Sequence, residues 1–523
     1  MAFAATAIVG VWIGNILSEN ARKNTLNDEE YTTYSLSSDG KIDMLLNMID
    51  LQYVDSVDKN QITEKAMSQI LSDLDPHSAY IPADELQIVN DGLSKSFSGI
   101  GVQFNIQRDT IMIVSVVRGG PSEKLGIHPG DRIVEVNDTA FVGKEISTDK
   151  VVKKLRGKKG SKVKVGIKRT GIDELLHFTI VRGDVPTNSV DASYMIDEGI
   201  GYVKVNKFGH GTYSEFRDSL YSLRNQGAHS YMVDLRENSG GFLDTAIAMI
   251  NEFLHRNDMI VYTEGKAQSR KECRADGRGD FQNDSLVVLI DEESASASEI
   301  FAGAMQDNDR AMIIGRRSFG KGLVQTQIDL RDGSAIRLTI ARYYIPSGRC
   351  IQKPYDNKDE YAKELLNRYV SGELDSDTVK AYGDSVQYFT KKGRVVYGGG
   401  GVTPDFIVPR DTVGATPYFV KIHASIYECA FKYVDEHRAV LSEMDLKELC
   451  AYLDKQPLCQ MAMDYATQNK ITTDKPVLKQ TQSLIERRMK EYVVRIVLGE
   501  EAFYKVYNQS DNVVKYALKK MKK

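Results

Sequence analysis

The sequence predicts a multidomain α/β protein. Short strands with glycine punctuation fill 97–186, strands and helices alternate from Asp191 onward, and helical periodicity marks both ends. At 523 residues the chain also exceeds one ordinary domain. It is 42% hydrophobic and 27% charged, with a net charge of −4. That supplies ample core, and without a basic excess nucleic acid is not expected as a partner. Five cysteines stand without CxxC spacing, which fits neither a disulfide framework nor a zinc site.

The elements follow in order. Residues 1–41 read as a targeting segment and tether. Ala2–Leu17 is uncharged, yet no basic residue precedes it, and it falls short of the ~20 apolar residues of a spanning helix. Export, with a signal or an anchor, is the expectation, against a buried N-terminal helix. From 42 to 88 apolar residues recur at helical spacing (Leu45, Leu46, Met48, Ile49, then Ile62, Met67, Ile70, Leu71, Leu74) until Asp75-Pro76. That predicts two or three helices with an apolar face to dock.

Residues 89–184 carry strand runs at Gly101–Ile106, Thr110–Val116, Arg132–Val136, Lys162–Lys168 and Leu175–Val181, with helices at Pro121–Leu125 and Ser147–Leu155. With Gly99-Ile100-Gly101-Val102 and the later Gly126–Ile133 (GIHPGDRI), this order resembles a PDZ domain. A glycine loop there presents backbone N–H groups to a terminal carboxylate, and the strand after it accepts a peptide as an added strand. His128 stands where some relatives carry a basic residue.

In 185–412 strands are expected at Gly201–Val205, Ser230–Leu235, Ser285–Ile290 and Ala311–Ile314, with Ser334–Ile340 and Ala341–Ile345 as two further candidates. Helices are expected at Thr212–Arg224, Leu243–Leu254 and Ser296–Met305. Polar, charged 356–392 reads as an insertion. From 413 to 523 the pattern is helical, chiefly Tyr418–Val434, Asp445–Leu453 and Leu478–Leu498.

Two serine motifs compete for chemistry. Glu237-Asn238-Ser239-Gly240-Gly241 superficially matches a chymotrypsin-like serine, but none of the eight histidines stands in a recognisable triad context. Following an apolar strand, its glycines suit an oxyanion pocket better, or a plain strand–helix turn. The second motif, Asp291–Asp307, opens a helix with Ser294-Ala295-Ser296-Ala297-Ser298-Glu299. Alone it reads first as a capping box, and secondly as a nucleophile beside free N–H groups. Lys321, between Gly320 and Gly322, shifts that balance: a lysine in a buried setting loses charge and can serve a serine as base. A phosphate loop would need GxxxxGK[ST], which is absent.

These blocks, with LDPHSAYI, DLRENSGGFL, ARYYIPSGRCIQ and GGVTPDFIVP in order, resemble the carboxyl-terminal processing peptidases, or tail-specific proteases, from about 42 to 410. The resemblance implies a ClpP/crotonase-like core with an inserted PDZ domain. It places the nucleophile at Ser296, the general base at Lys321 and its positioning partner at Gln325. The oxyanion donors would be the N–H of Ala297 and of Gly240 or Gly241. Asp307 matches an acidic position near the centre, with Arg310 as its expected partner. No metal or cofactor is implied. Implied partners are substrates with free C-termini, and assembly into a homo-oligomer through the helical ends.

Overall fold

The computed structural model describes residues 40–522 apart from 108, 118, 378–385 and 473–474. The targeting segment expected at 1–41 lies almost wholly outside the described residues. The rest divides into two compact units, one ending at Gln69 and one running from Ile70 onward. The first carries the helix Lys41–Gln52, which buries none of its residues, and most of the helix Lys59–Leu74.

The PDZ-like module is a sheet in the order Val102–Gln107, Thr110–Val116, Arg132–Val136, Lys162–Lys168, Leu176–Val181. Inward residues of its strands (Ile111, Ile113, Ile133, Val163, Val165, Ile167) are fully buried, and Val151 of the helix Thr148–Leu155 packs against them. Ser147 caps that helix by accepting from the Lys150 N–H. The helix expected at 121–125 is only a 3₁₀ turn, Glu123–Leu125, because Gly126 takes a left-handed conformation and stops it. Val102–Gln107 forms one edge of the sheet. The antiparallel pair Ser96–Gly99 with Gly183–Pro186 joins the module to the next domain.

That domain is built on a six-stranded sheet in the order Val190–Asp197, Ile200–Val205, Ser230–Asp234, Ser285–Ile290, Met312–Gly315, Phe406–Ile407. The first pair is antiparallel and the rest parallel. Its central strands are apolar on both faces because both are covered. Phe216 and Phe301 from two helices, and Phe253 from the turn after the helix Leu243–Asn251, pack on one face. Val513, Val514 and Ala517 of the helix Asn512–Met521 pack against Tyr202, Met232, Val287 and Ile314 on the other.

A second sheet lies beside it. Ser334–Ile340 and Ala341–Ile345 are not two strands but one, Ala335–Tyr344, since neither glycine nor proline interrupts it. It pairs with Leu323–Asp329, Ala79–Ile81 and Met259–Glu264. The insertion contributes the helix Lys358–Val370, whose Arg368 is buried against Glu373 and the carbonyls of Arg317 and Ser318. Beyond it, helices Pro417–Leu441, Leu446–Leu453, Leu458–Gln468 and Lys475–Leu498 enclose a core of their own around Ile422, Leu449, Ile485 and Val493. All five cysteines are free.

Candidate active site

Ser296 sits between the strand Ser285–Ile290 and the helix Ala297–Asp307, at φ 54° and ψ −113°. A positive φ at a non-glycine residue costs free energy and persists only where its surroundings enforce it. They do so here. The Ala295 N–H donates to the Asn238 carbonyl at 3.0 Å, and the Ser298 hydroxyl donates to the same oxygen at 2.8 Å. The Ser296 N–H donates to Glu299 Oε2 at 2.9 Å.

Glu299 does more than cap a helix. Its Oε2 also accepts from the Lys321 N–H at 2.8 Å, while Oε1 accepts from the Gly320 N–H at 2.7 Å and the Ser318 hydroxyl at 2.5 Å. One buried carboxylate therefore gathers four donors from two segments. Burial pushes its pKa up to about 7, although those hydrogen bonds pull the other way. Tyr343 ties the same segments from another side, its hydroxyl donating to the carbonyls of Ser296, at 3.2 Å, and of Lys321. Ser296 and Lys321 are thus brought together through their backbones. Among the described residues no hydrogen bond joins their side chains.

The Lys321 amine donates to Gln325 Oε1 at 3.0 Å. Burial lowers its pKa, Arg337 lowers it further, and Glu299 and Asp75 oppose them. Gln325 in turn donates to the carbonyl of His77. His77 stands on a turn closed by Asp75, whose carboxylate accepts from the N–H groups of His77 and Ser78, both at 2.8 Å. The imidazole itself is held uncharged: burial first, then Lys321, lowers its pKa to about 4.

Opposite Ser296 lies the Asn238–Gly241 loop. At Gly240, φ is +103°, and a Cβ there would come within 2.8 Å of Ser296 Cβ and 2.9 Å of the Ala297 nitrogen. Only glycine permits that approach. The Gly240 N–H is already used by Asn238 Oδ1 at 2.9 Å. Gly241 pairs with Phe208 through the oxygen and nitrogen of its neighbours, so its own N–H makes no hydrogen bond among the described residues. Ser239 is exposed, and no hydrogen bond links it to a histidine among the described residues.

Asp307 stands at the far end of the helix, away from Ser296. It does not meet Arg310. It pairs with Arg349 at 2.8 Å, both side chains fully buried, and accepts from the Ser347 N–H at 3.0 Å. Arg310 instead donates to the carbonyls of Phe253, Phe281 and Asp284, which use its guanidinium. Gly99, Ile100, Gly101 and Val102 form the bend before the PDZ edge strand, with Gly101 at φ +77°.

The sequence reading missed Tyr343 and gave Glu299 only a capping role. Glu299 was visible in the SxxE spacing, but nothing local shows that Lys321 shares its carboxylate. His77 was visible within LDPHSAYI, though not the use of its carbonyl.

Family models describe the chain in three pieces. A PDZ domain matches residues 98–180, peptidase family S41 matches 199–359, and a family of unknown function matches 419–499. The carboxy-terminal-processing protease of Bartonella bacilliformis is 35% identical over 351 residues, covering 66% of this chain and 79% of that protein. The chain belongs to the carboxy-terminal processing proteases of peptidase family S41. Carboxy-terminal processing protease CtpA of Bacillus subtilis is 33% identical over 353 residues, covering 67% and 74%. Among solved structures, a photosystem II D1 C-terminal processing protease is 26% identical with a TM-score of 0.38, covering 72% of this chain and 89% of that one. As a member, the chain is a serine-type endopeptidase that acts on protein or peptide substrates and carries a PDZ domain.

Proposed function

We propose that Ser296 is the nucleophile, Lys321 the general base and Gln325 the residue that holds the base. The observation that carries this reading is the shared carboxylate of Glu299, which fixes the Ser296 and Lys321 backbones in one frame. Neutral Lys321 takes the proton of Ser296 as its oxygen attacks the scissile carbonyl. The oxyanion is received by the N–H groups of Ala297 and Gly241, Gly240 being occupied. Lys321 then passes the proton to the leaving amine, and water hydrolyses the acyl-enzyme. Asp307 serves as a structural anchor for Arg349.

Recognition falls to the PDZ module. The bend Gly99–Val102 takes the terminal carboxylate, the edge strand Val102–Gln107 pairs with the tail, and docking gates the active site. An apolar groove favours tails with apolar ends. The catalytic core is of the ClpP/crotonase-like kind. Exposed Leu45, Leu51 and Val54 around the helix Lys41–Gln52 suit assembly through the helical ends, and the uncharged Ala2–Leu17 suits export to the periplasm with a membrane anchor. Among the described residues no helix is long and apolar enough to cross a membrane.

The test is cleavage of an unfolded protein with an apolar C-terminus by the wild type, Ser296→Ala, Lys321→Ala and Ser239→Ala. Of the three variants, only Ser239→Ala is expected to retain the activity of the wild type. Turnover by Ser296→Ala would refute the assignment, and unchanged cleavage of a C-terminally amidated substrate would remove the carboxylate-reading role.

A further inference from the structure

The C-terminal helices approach the face of the PDZ domain that a bound tail would present. Val102–Gln107 is an edge strand, and among the described residues no other strand pairs with its outer side. Its side chains alternate. Val102, Phe104 and Ile106 pack toward the PDZ core, whereas Gln103 and Asn105 are exposed on the opposite face. Next to it a bulge in the pairing with Thr110–Val116 leaves Val114 without a partner between Ile113 and Ser115. Val114 and Ser115 both turn toward this face as a result.

Across from this face stand Tyr427 of the helix Pro417–Leu441, and Tyr492 and Ile496 of the helix Lys475–Leu498. The space between is a cavity of about 650 Å³. Tyr427 and Tyr492 meet edge to face at 5.2 Å, and the Tyr492 hydroxyl bonds His423 Nε2 at 2.8 Å, so both rings are fixed. Among the described residues that line the cavity, Arg495 is the cation, and it pairs with Glu500 at 2.7 Å. The strand side of the cavity offers neutral Gln103, Asn105 and Ser115 beside Val114, and the helical side offers Tyr427, Tyr492 and Ile496, with Arg495 and Glu500 paired to each other. The helix Pro417–Leu441 also anchors the PDZ domain two turns beyond Tyr427, where Asp435 accepts from the Thr170 hydroxyl at 2.8 Å. A side chain at Gly130 would run into Asp435 Oδ1, so the contact is close.

We propose that this cavity is a second specificity subsite, in which the C-terminal helices and the PDZ edge strand together read the alternate side chains of a bound tail. The inference rests on the reading that Gly99–Val102 holds the tail's carboxylate. An added strand turns successive side chains to opposite faces. The last residue enters the PDZ groove, so the second and fourth from the end point into the cavity. Its lining selects bulky apolar or aromatic groups there and rejects acidic ones, which would lose hydration without gaining a free cation.

The test uses the full chain carrying Ser296→Ala, so that tails are bound and not cut, with fluorescent decapeptides of one fixed apolar last residue. Peptides with Trp or Leu at the second and fourth places are expected to bind about tenfold or more tighter than those with Asp, the scale of burying one apolar side chain. Tyr492→Ala and Tyr427→Ala are expected to bring that ratio toward one while leaving the affinity of a Gly-substituted peptide unchanged. Tyr492→Phe keeps the ring and is expected to keep the ratio. Because a ring deletion can loosen the helices, Asn105→Trp, which adds uncharged bulk at an exposed position, provides an independent block at the cavity mouth, with the same expected loss. If amidated peptides bind as well as free acids, the tail-reading role itself has failed. If the free carboxylate is required but the ratio is unchanged in Tyr427→Ala, Tyr492→Ala and Asn105→Trp, the subsite is overturned and the tail reading stands.

Discussion

At the scale of single residues, the central question is how a lysine becomes a base. Lys321 is flanked by glycines, which contribute no cover of their own. The cover comes from the Leu323–Asp329 and Ala335–Tyr344 pair and from the His77 turn. Burial and Arg337 lower the Lys321 pKa, so the neutral form is reached at lower pH than for a free lysine. Only neutral Lys321 accepts the serine proton. The pH profile of kcat/KM is therefore expected to rise as this one group deprotonates, with a midpoint below 10.5, and to level off above it. Gln325→Ala frees the amine from its partner and is expected to lower kcat roughly 10²-fold with little change in KM, because the substrate does not rest on Gln325. A rate that falls as pH rises across this range would exclude a lysine base. Stability has the same sign for this group: its depressed pKa makes ionised Lys321 a cost to the fold, relieved as pH rises.

At the scale of elements, the SASASE helix start and the Phe319–Val324 loop behave as one piece, because Glu299 accepts from both. Either element was legible alone: the apolar strand, the small residues and the SxxE spacing show in the sequence, as does the glycine-flanked lysine. Their joint dependence was not, since a capping box uses the same spacing whether or not a second segment arrives. Glu299→Gln tests the joint. An amide offers one acceptor oxygen and turns its NH₂ toward two N–H donors, leaving buried donors unpaired. The expected loss is about 2–4 kcal/mol in denaturant unfolding, with most of the activity, at about 1–3 kcal/mol per unpaired group. The pH dependence is specific too. With a folded pKa of about 7 against the ordinary 4.5 of a glutamate, Glu299 holds its proton more tightly in the folded state. Its contribution is full below 4.5 and is lost as pH rises through about 7. The stability difference between wild type and Glu299→Gln is expected to shrink over that window. Strand merging shows the same limit of local reading: nothing in residues 334–345 marks where one pairing partner gives way to the next, so two strands were expected where there is one.

At the scale of the molecule, the order of domains was legible because each announces itself by period and punctuation. What was not legible is where the chain's end goes. The helix Asn512–Met521 lies beyond the three helices the sequence singles out, and it covers the second face of the central sheet with Val513, Val514 and Ala517. Its cap, Asp511, accepts from the Val514 N–H at 2.8 Å and from Arg236 at 2.9 Å. Arg236 is also held by the fully buried Asp234 at 2.6 Å, and the Asn238–Gly241 loop follows it directly. A helix at the far end of the sequence thus braces the loop facing Ser296. Asp511→Ala removes a cap, worth about 1 kcal/mol, and leaves a buried guanidinium with one carboxylate instead of two. The expected outcome is a stability loss of about 2–4 kcal/mol together with a several-fold fall in kcat at nearly constant KM, since small displacements at a reacting centre are costly. Asp511→Asn separates the two effects. It keeps the cap and loses the charge, so it is expected to recover most of the helix stability but not the full kcat. Equal kcat in the wild type, Asp511→Ala and Asp511→Asn would reduce the last helix to a cover for the sheet, with no hold on the oxyanion loop.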